Sequence, residues 1–413
     1  MMQDTDILIA GGGLNGPALA LALAQGGLRV TVVDSRPAPA RAEAGFDGRA
    51  YALALASQRL LAITGVWPRI AAHQPILKIK ASDGVAGQGP SPFFLGFDSA
   101  ELEEGPMGFM VEDRHLYAAF LAAMQEDPRI TLMSGETVVA QAADAQRITV
   151  TLASGTLASG QQLSARLLVG CDGRQSGTAA RAGIRRSGWG YGQTALVTAI
   201  RHEKHHQGTA QQFFMPAGPL AILPLAGGHH SSIVWSESDS AAQAIQALDD
   251  AAYLQVLRPR FGDFLGDIAL AGARFTYPLN LTLANRFIDN RLALVGDAAH
   301  GVHPIAGQGL NLGLRDVAAL AQVVIEAHRR GEDFGSLTTL DAYQRWRRFD
   351  ATTLALGMDT VNRLFSNNNP LLRLGRDLGL GAVNALPGLR RGFMRQAAGL
   401  SGDLPNLLAG RPI

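Results

Sequence analysis

The sequence predicts an α/β fold: a parallel sheet covered by helices, interrupted by an inserted antiparallel sheet and followed by a helical C-terminal region. Three observations carry this expectation. An apolar run at 6–10 leads into Gly11-Gly12-Gly13-Leu14-Asn15-Gly16-Pro17, an Ala/Leu segment to Gln25, and a second apolar run, 28–33, ending at Asp34. This reads as strand, tight turn, helix and parallel strand within about 30 residues, a Rossmann-type unit. Far along the chain, Leu292-Ala293-Leu294-Val295 opens another glycine-rich turn. Between the two, 186–280 is enriched in Thr, Val, Phe and Pro with turn glycines, as in Gly218-Pro219-Leu220-Ala221-Ile222-Leu223-Pro224-Leu225, the pattern of antiparallel strands.

Taken in order, Gly26-Gly27 stop the first helix. Gly45 to Gly65 reads as a loop and a helix carrying Arg49 and Ser57, and 77–108 as inserted loops or strands. A helix is expected from Arg114 to Gln125, strands at 130–153 and at Leu167-Leu168-Val169-Gly170, and a helix from Gly309 to Arg329. Beyond 340 the chain reads as helical with breaks at Pro370 and Pro387. A chain of 413 residues exceeds the ~250–300 at which single cores stop growing. The expected borders are 1–78, 105–185 and 281–340 for a discontinuous parallel-sheet domain, 79–104 and 186–280 for a second domain, and 341–413 for the helical region.

Composition narrows the chemistry. Lys plus Arg number 36 against 35 Asp plus Glu, so no global field attracts nucleic acid, and none is expected as a partner. Charged residues make up 17%, below the usual ~25%, which suits an apolar ligand or a membrane-facing patch. Cys171 is the single cysteine, which excludes an internal disulfide and any multi-cysteine metal site and fits a reducing cytosol. No metal site is expected, and redox chemistry needs a bound cofactor. The N-terminus is acidic where a signal peptide would be basic, and no run reaches the ~18–20 apolar residues of a spanning helix.

Three motifs supply the function. In Gly11-x-Gly13-x-x-Gly16, small residues permit a sharp turn and close approach of backbone to a pyrophosphate, which the helix N-terminus then faces. Asp34 stands where a carboxylate accepts from ribose hydroxyls. That unit alone leaves FAD and NAD both open. The second motif, Gly296-Asp297-Ala298-Ala299-His300, decides for FAD, because a carboxylate at that strand end can bond the ribityl chain that NAD lacks. The third, Cys171-Asp172-Gly173-Arg174-Gln175-Ser176, is by spacing alone a turn.

In this order and at these separations the motifs resemble those of single-component flavoprotein monooxygenases typified by para-hydroxybenzoate hydroxylase. Within that class the chain is similar to the UbiH-like hydroxylases of ubiquinone biosynthesis. The most specific stretch runs from Gly296 through His300, His303, Pro304, Gly307, Gln308, Gly309, Leu310 and Asn311 to Arg315-Asp316. Asp47 to Leu53, Val111 to Arg114, Gly218 to Leu225 and Tyr277-Pro278-Leu279 extend the likeness over the whole chain. The resemblance implies a Rossmann-type FAD-binding domain with an inserted antiparallel-sheet substrate domain. It places Gly11, Gly13, Leu14, Asn15 and Gly16 at the pyrophosphate, Asp34 at the ribose, and Arg49 and Arg114 at the adenosine and pyrophosphate portions. Gly296 and Asp297 fall at the ribityl chain, and His303, Pro304 and Gly307 to Asn311 at the flavin ring. Asp172 is implied for FAD and for a transient NAD(P)H reductant. One departure stands out: Ala179 occupies a position where the family usually has arginine, and the nearest arginine is Arg181.

The implied activity is insertion of one oxygen atom from O2 into a prenylated phenol through a flavin C4a-hydroperoxide. Two alternatives remain: a flavin-dependent reductase that never activates oxygen, and a non-catalytic FAD-binding scaffold of a biosynthetic complex. His300 and His303 are read as hydrogen-bonded structural histidines, and no catalytic base is assigned. Residues 341–413 hold ten arginines, no lysine, five aspartates and no glutamate, a local +5 in a chain totalling +1. Interspersed with apolar clusters, they suggest peripheral association with the inner face of the cytoplasmic membrane, or with partners of a ubiquinone-biosynthesis complex; a solvated helical cap is the other reading.

Overall fold

The computed structural model describes residues 3–38, 45–87, 89–153, 160–303, 307–366 and 370–413. Its parallel sheet orders Ile130–Ser134, Val30–Asp34, Ile7–Ala10, Leu167–Gly170 and Leu292–Leu294, with Ile288–Asp289 antiparallel at the edge. Counted along the chain, the parallel strands run 3-2-1-4-5. The order reverses between Ile7–Ala10 and Leu167–Gly170, and such a reversal opens a ligand crevice at the carboxyl ends of the strands. Every residue of Ile7–Ala10 and Leu167–Gly170 is buried. Both faces of a parallel sheet are covered, which is why these strands read as apolar runs rather than alternation. Helix Asn15–Gln25 packs against both Asp113–Glu126 and Gln308–Arg329.

The second sheet orders His300–Gly301, Phe275–Ala284, Arg186–His202, His230–Ser238, Gly218–Pro224, Thr209–Met215, Lys78–Val85 and Gly89–Asp98, with Ile268–Leu270 also on Arg186–His202. It is not wholly antiparallel as expected: Lys78–Val85 runs parallel to Thr209–Met215. These two strands come from separate insertions, so no hairpin dictates their direction. Helices Asp239–Gln246 and Asp250–Phe261 went unread in the sequence, the second because Pro259 lies inside it. Tyr253, Leu257 and Phe261 pack with Trp235 into a separate core under this sheet.

Arg49 precedes a strand, Ala50–Ala54, rather than lying on a helix. The predicted borders at 280 and 340 fall inside Phe275–Ala284 and Leu337–Phe365. The first half of Leu337–Phe365 belongs to the parallel-sheet core, where the Tyr343 hydroxyl donates to Leu294 O at 2.7 Å. Helices Pro370–Ala385 and Pro387–Ala397 follow, each opening on the proline whose missing N–H is harmless there. Arg376 on the former donates to buried Asp83 at 2.7 Å and to Leu364 O at 2.8 Å, bolting the C-terminal helices to strand Lys78–Val85.

Candidate active site

The first glycine turn sits at the strand reversal. Gly11 has φ +107, and a Cβ there would lie 2.4 Å from Cys171 O, so the turn closes on the end of Leu167–Gly170 only with glycine. Asp34 is buried, its Oδ1 accepting from the Arg36 N–H at 2.8 Å. Its Oδ2 faces Gly12, where a Cβ would come within 2.7 Å. A Cβ on Gly13 would meet nothing within 4 Å, so that side of the turn is open. Helix Asn15–Gln25 has no acidic residue in its first turn and no side-chain cap from Leu14. Its leading N–H groups are therefore free of a carboxylate from the helix itself and can receive an anion. An open cradle, uncapped donors and an adjacent carboxylate fit the diphosphate and ribose of a dinucleotide.

Asn15 joins this turn to the second motif. Its Nδ2 occupies the space that Cβ atoms on Gly296 and Gly313 would fill, at 2.2 and 2.4 Å. Among the described residues its buried Oδ1 has no partner. Gly296 is held in turn by Asp316, whose Oδ2 accepts from the Gly296 N–H at 3.0 Å and contacts His300 Nε2 at 2.5 Å. Asp316 Oδ1 accepts from Arg347 Nε at 2.8 Å, and Arg347 also pairs with Asp350. Burial pushes the Asp316 carboxyl up, but His300 and Arg347 outweigh it and hold it below its usual range. Asp297 lies in the turn Gly296–Ala298, partly exposed, with Arg174 at 3.3 Å.

The loop that the resemblance implies at a flavin ring is held from the opposite side. Gly307 has φ +65, and a Cβ there would approach Ala52 Cβ to 2.9 Å. Helix Gln308–Arg329 starts immediately after it, again with no acid in its first turn, so the N–H groups of Gln308, Gly309, Leu310 and Asn311 open the helix. The Asn311 side chain is a staple: its oxygen accepts from the Ala54 N–H and Ser57 hydroxyl, both 2.8 Å, while its amide donates to Ala52 O and Gly307 O. Only its backbone remains to meet a cofactor. Pro304 lies outside the described residues.

The other assigned residues are placed less directly. Asp172 braces the short helix Gly177–Arg181, accepting from the Ser176 hydroxyl at 2.5 Å and the Thr178 N–H at 2.9 Å. Ala179 is buried inside that helix, and Arg181 turns to Gln141 at 3.1 Å. Arg49 pairs with Asp47 at 2.7 Å and Asp113 at 3.7 Å, and Arg114 with Glu112 at 2.7 Å. Both arginines flank the start of helix Asp113–Glu126, which lies on Asn15–Gln25.

His300 is the hydrogen-bonded histidine expected, but His303 is not. It is 1% exposed, and among the described residues neither ring nitrogen has a partner. Burial and then Arg174 push its pKa down to about 4. Its ring meets Tyr191 edge-on at 5.1 Å. Tyr191, absent from the sequence reading, lies in a bulge between Gly190 and Gln193. Helix Leu337–Phe365 grips that bulge on both sides: Asp359 accepts from Trp189 Nε1 at 3.1 Å, and Asn362 donates to Gln193 at 3.0 Å. Burial first, then Asp359, raise the Tyr191 phenol well above its ordinary value. The available sign was Gly188-Trp189-Gly190-Tyr191-Gly192, since glycines alternating within a strand often mark a bulge.

A split parallel sheet with two convergent glycine turns defines a dinucleotide-type flavin fold, and residues 4–355 match the family described as FAD binding domain; the chain belongs to that family. It is 45% identical to the ubiquinone hydroxylase UbiL of Rhodospirillum rubrum, over 99% of this chain and 93% of that protein. It is 36% identical to the 3-demethoxyubiquinol 3-hydroxylase of Escherichia coli, over 96% and 99%. Among solved structures, p-nitrophenol 4-monooxygenase PnpA of Pseudomonas putida superposes with TM-score 0.80 at 20% identity, covering 97% of this chain and 99% of that one. No cluster of three metal-ligating side chains occurs among the described residues.

Proposed function

We propose that the protein is an FAD-dependent aromatic hydroxylase of ubiquinone biosynthesis, inserting one oxygen atom from O2 into a prenylated phenol with NAD(P)H as transient reductant. The supporting observation is the convergence of two flavin-type turns through Asn15, in a chain 45% identical to a ubiquinone hydroxylase. Bound flavin supplies the electrons and the oxygen activation, chemistry that no side chain offers. In this reading Asp34 takes the ribose hydroxyls, the helix at Asn15 the diphosphate, Arg49 and Arg114 the adenosine and pyrophosphate portions, and Asp297 the ribityl chain. The N–H groups opening Gln308–Arg329 stabilise negative charge on the reduced ring. The test is turnover with NAD(P)H, a prenylated phenol and labelled O2. One labelled oxygen in the product is expected. Consumption of NAD(P)H without an oxygenated product favours the reductase, and flavin that NAD(P)H cannot reduce with substrate present favours the scaffold.

We further propose that the protein works at the cytoplasmic face of the membrane, where a polyprenyl substrate resides. Leu386, Leu389 and Phe393 are 55, 47 and 48% exposed at helical spacing on and just before Pro387–Ala397. No helix among the described residues is long and apolar enough to cross a membrane. The local positive balance is largely internal, since Arg347, Arg363, Arg376, Arg390 and Arg395 all pair with carboxylates of the chain. Binding by this face is therefore driven by apolar insertion and depends weakly on salt. Flotation with anionic vesicles should recover the wild type but not Leu389→Glu/Phe393→Glu; a wild type that stays unbound would leave a solvated cap, and equal recovery of both would remove this face from the binding.

A further inference from the structure

We propose that Tyr191, His303 and Asn280 form the subsite that receives the oxygen substituent of the substrate ring, a phenolic or quinol hydroxyl. The proposal rests on the hydroxylase reading above. Buried polar atoms almost always have partners. Here both ring nitrogens of His303 and Asn280 Oδ1 have none among the described residues, and Tyr191 Oη has no direct one but lies beside the Asp359 carboxylate. They gather around one bulge. Gly190 is opposite Asn280 in the sheet, a Cβ on Gly301 would lie 3.9 Å from Asn280 Oδ1, and the His303 and Tyr191 rings meet at 5.1 Å. Arg174, whose charge acts on His303, pairs with Asp297, and from His303 the chain runs on into the Gly307 turn.

The set matches a hydroxyl on an apolar ring: an O–H donor at Tyr191, an imidazole with one donor and one acceptor, and an amide oxygen acceptor. Asp359 is a positioning residue. Held by Trp189 and Arg363, it fixes the Tyr191 hydroxyl from one side, and burial first, then its charge and side-chain hydrogen bond, raise that phenol further into the protonated, donating form. His303 accepts a hydrogen bond rather than the proton itself. With its pKa at about 4 and an ordinary phenol near 10, transfer is disfavoured roughly a million-fold. The ring is oriented at this subsite, not ionised.

The test uses full-length, flavin-loaded protein and two probes, a prenylated phenol and the matching prenylbenzene, titrated through flavin absorbance. A site built around a hydroxyl rejects the analogue lacking it, so the wild type should prefer the phenol by about 100-fold or more. Tyr191→Phe and His303→Gln, each compared as flavin-loaded protein, should cut that preference about 10-fold. Tyr191→Phe removes only a hydroxyl, so folding is preserved. A wild-type ratio near one, including failure to bind either probe, overturns the subsite, as does an unchanged ratio in both variants. A wild type that prefers the phenol, loses the preference in the variants and yet never oxygenates it would overturn the hydroxylase reading and leave the subsite standing.

Discussion

His300 and His303 stand three residues apart in one motif and are both 1% exposed, yet their surroundings are opposite. His300 contacts Asp316, which also holds the Gly296 N–H and Arg347, so the polar atoms of that side of the motif brace one another. His303 has an aromatic edge on one face and no hydrogen bond among the described residues. A buried network whose members satisfy one another rigidifies; a buried polar group left open is destabilising unless something arrives to pair it. The same short stretch of chain thus carries a satisfied brace on the Gly296 turn and a buried imidazole without a hydrogen bond among the described residues, the group proposed above to meet a ligand.

The largest expected effect comes from breaking the brace. Asp316→Ala leaves the Arg347 guanidinium buried without its inner partner, and losing one member of a buried pair destabilises by about 3–5 kcal/mol. Denaturant unfolding should show that loss, together with release of flavin because the Gly296 turn is no longer held. A decrease below about 1 kcal/mol would mean that Asp350 alone compensates Arg347.

Acid should act on the other histidine. The folded pKa of His303 lies at about 4, below the ordinary 6.5, so between these values the unfolded chain binds the extra proton and the folded protein does not. Stability is complete above pH 6.5 and falls as pH drops toward 4, by up to about 3 kcal/mol from this residue. His202 and His206, also shifted down by burial, act in the same sense. The difference between wild type and His303→Gln therefore isolates the contribution, and parallel pH profiles would show that His303 is not buried neutral.

Tyr191→Phe sharpens the comparison with a smaller effect of opposite sign. Removing a buried hydroxyl that makes no direct hydrogen bond and only lies beside the Asp359 carboxylate should leave stability unchanged or raise it by about 1 kcal/mol, even as phenol discrimination falls. A drop in melting temperature would show that the hydroxyl is bonded in the resting protein. Smallest of all in stability, when the flavin-free proteins are compared, is Asp297→Ala: its ion pair with Arg174 is partly exposed, so the change should stay within about 0.5 kcal/mol. Its flavin content should nevertheless collapse, and retention of flavin at wild-type affinity would remove Asp297 from the cofactor site.

What could be read in the sequence was what local chain chemistry dictates. Ile7–Ala10 and Leu167–Gly170 are buried on both faces and so announce themselves as apolar runs, and Gly11 marks a turn that a Cβ would block. The parallel pairing of Lys78–Val85 with Thr209–Met215 leaves no such trace, because register between distant segments is decided by packing in the assembled sheet. Asp316 looked like the end of a motif, and its role emerged only when Gly296 and Arg347 converged on it. Tyr191 meets Asp359 through a contact between distant segments, and apart from the alternating glycines around Tyr191 neither residue carries a local signature.

The Asp83–Arg376 bolt bears on how this architecture can be taken apart. Both side chains are buried, and the guanidinium also caps the end of Leu337–Phe365 through Leu364 O. A version of the protein shortened before residue 370 would strand a carboxylate inside a sheet, and the liberated helices would carry an exposed cation on what had been their inner face. The terminal segment is therefore unsuited to grafting or circular permutation unless positions 83 and 376 are converted together to an apolar pair of similar volume, a swap that buried ion pairs often tolerate without loss.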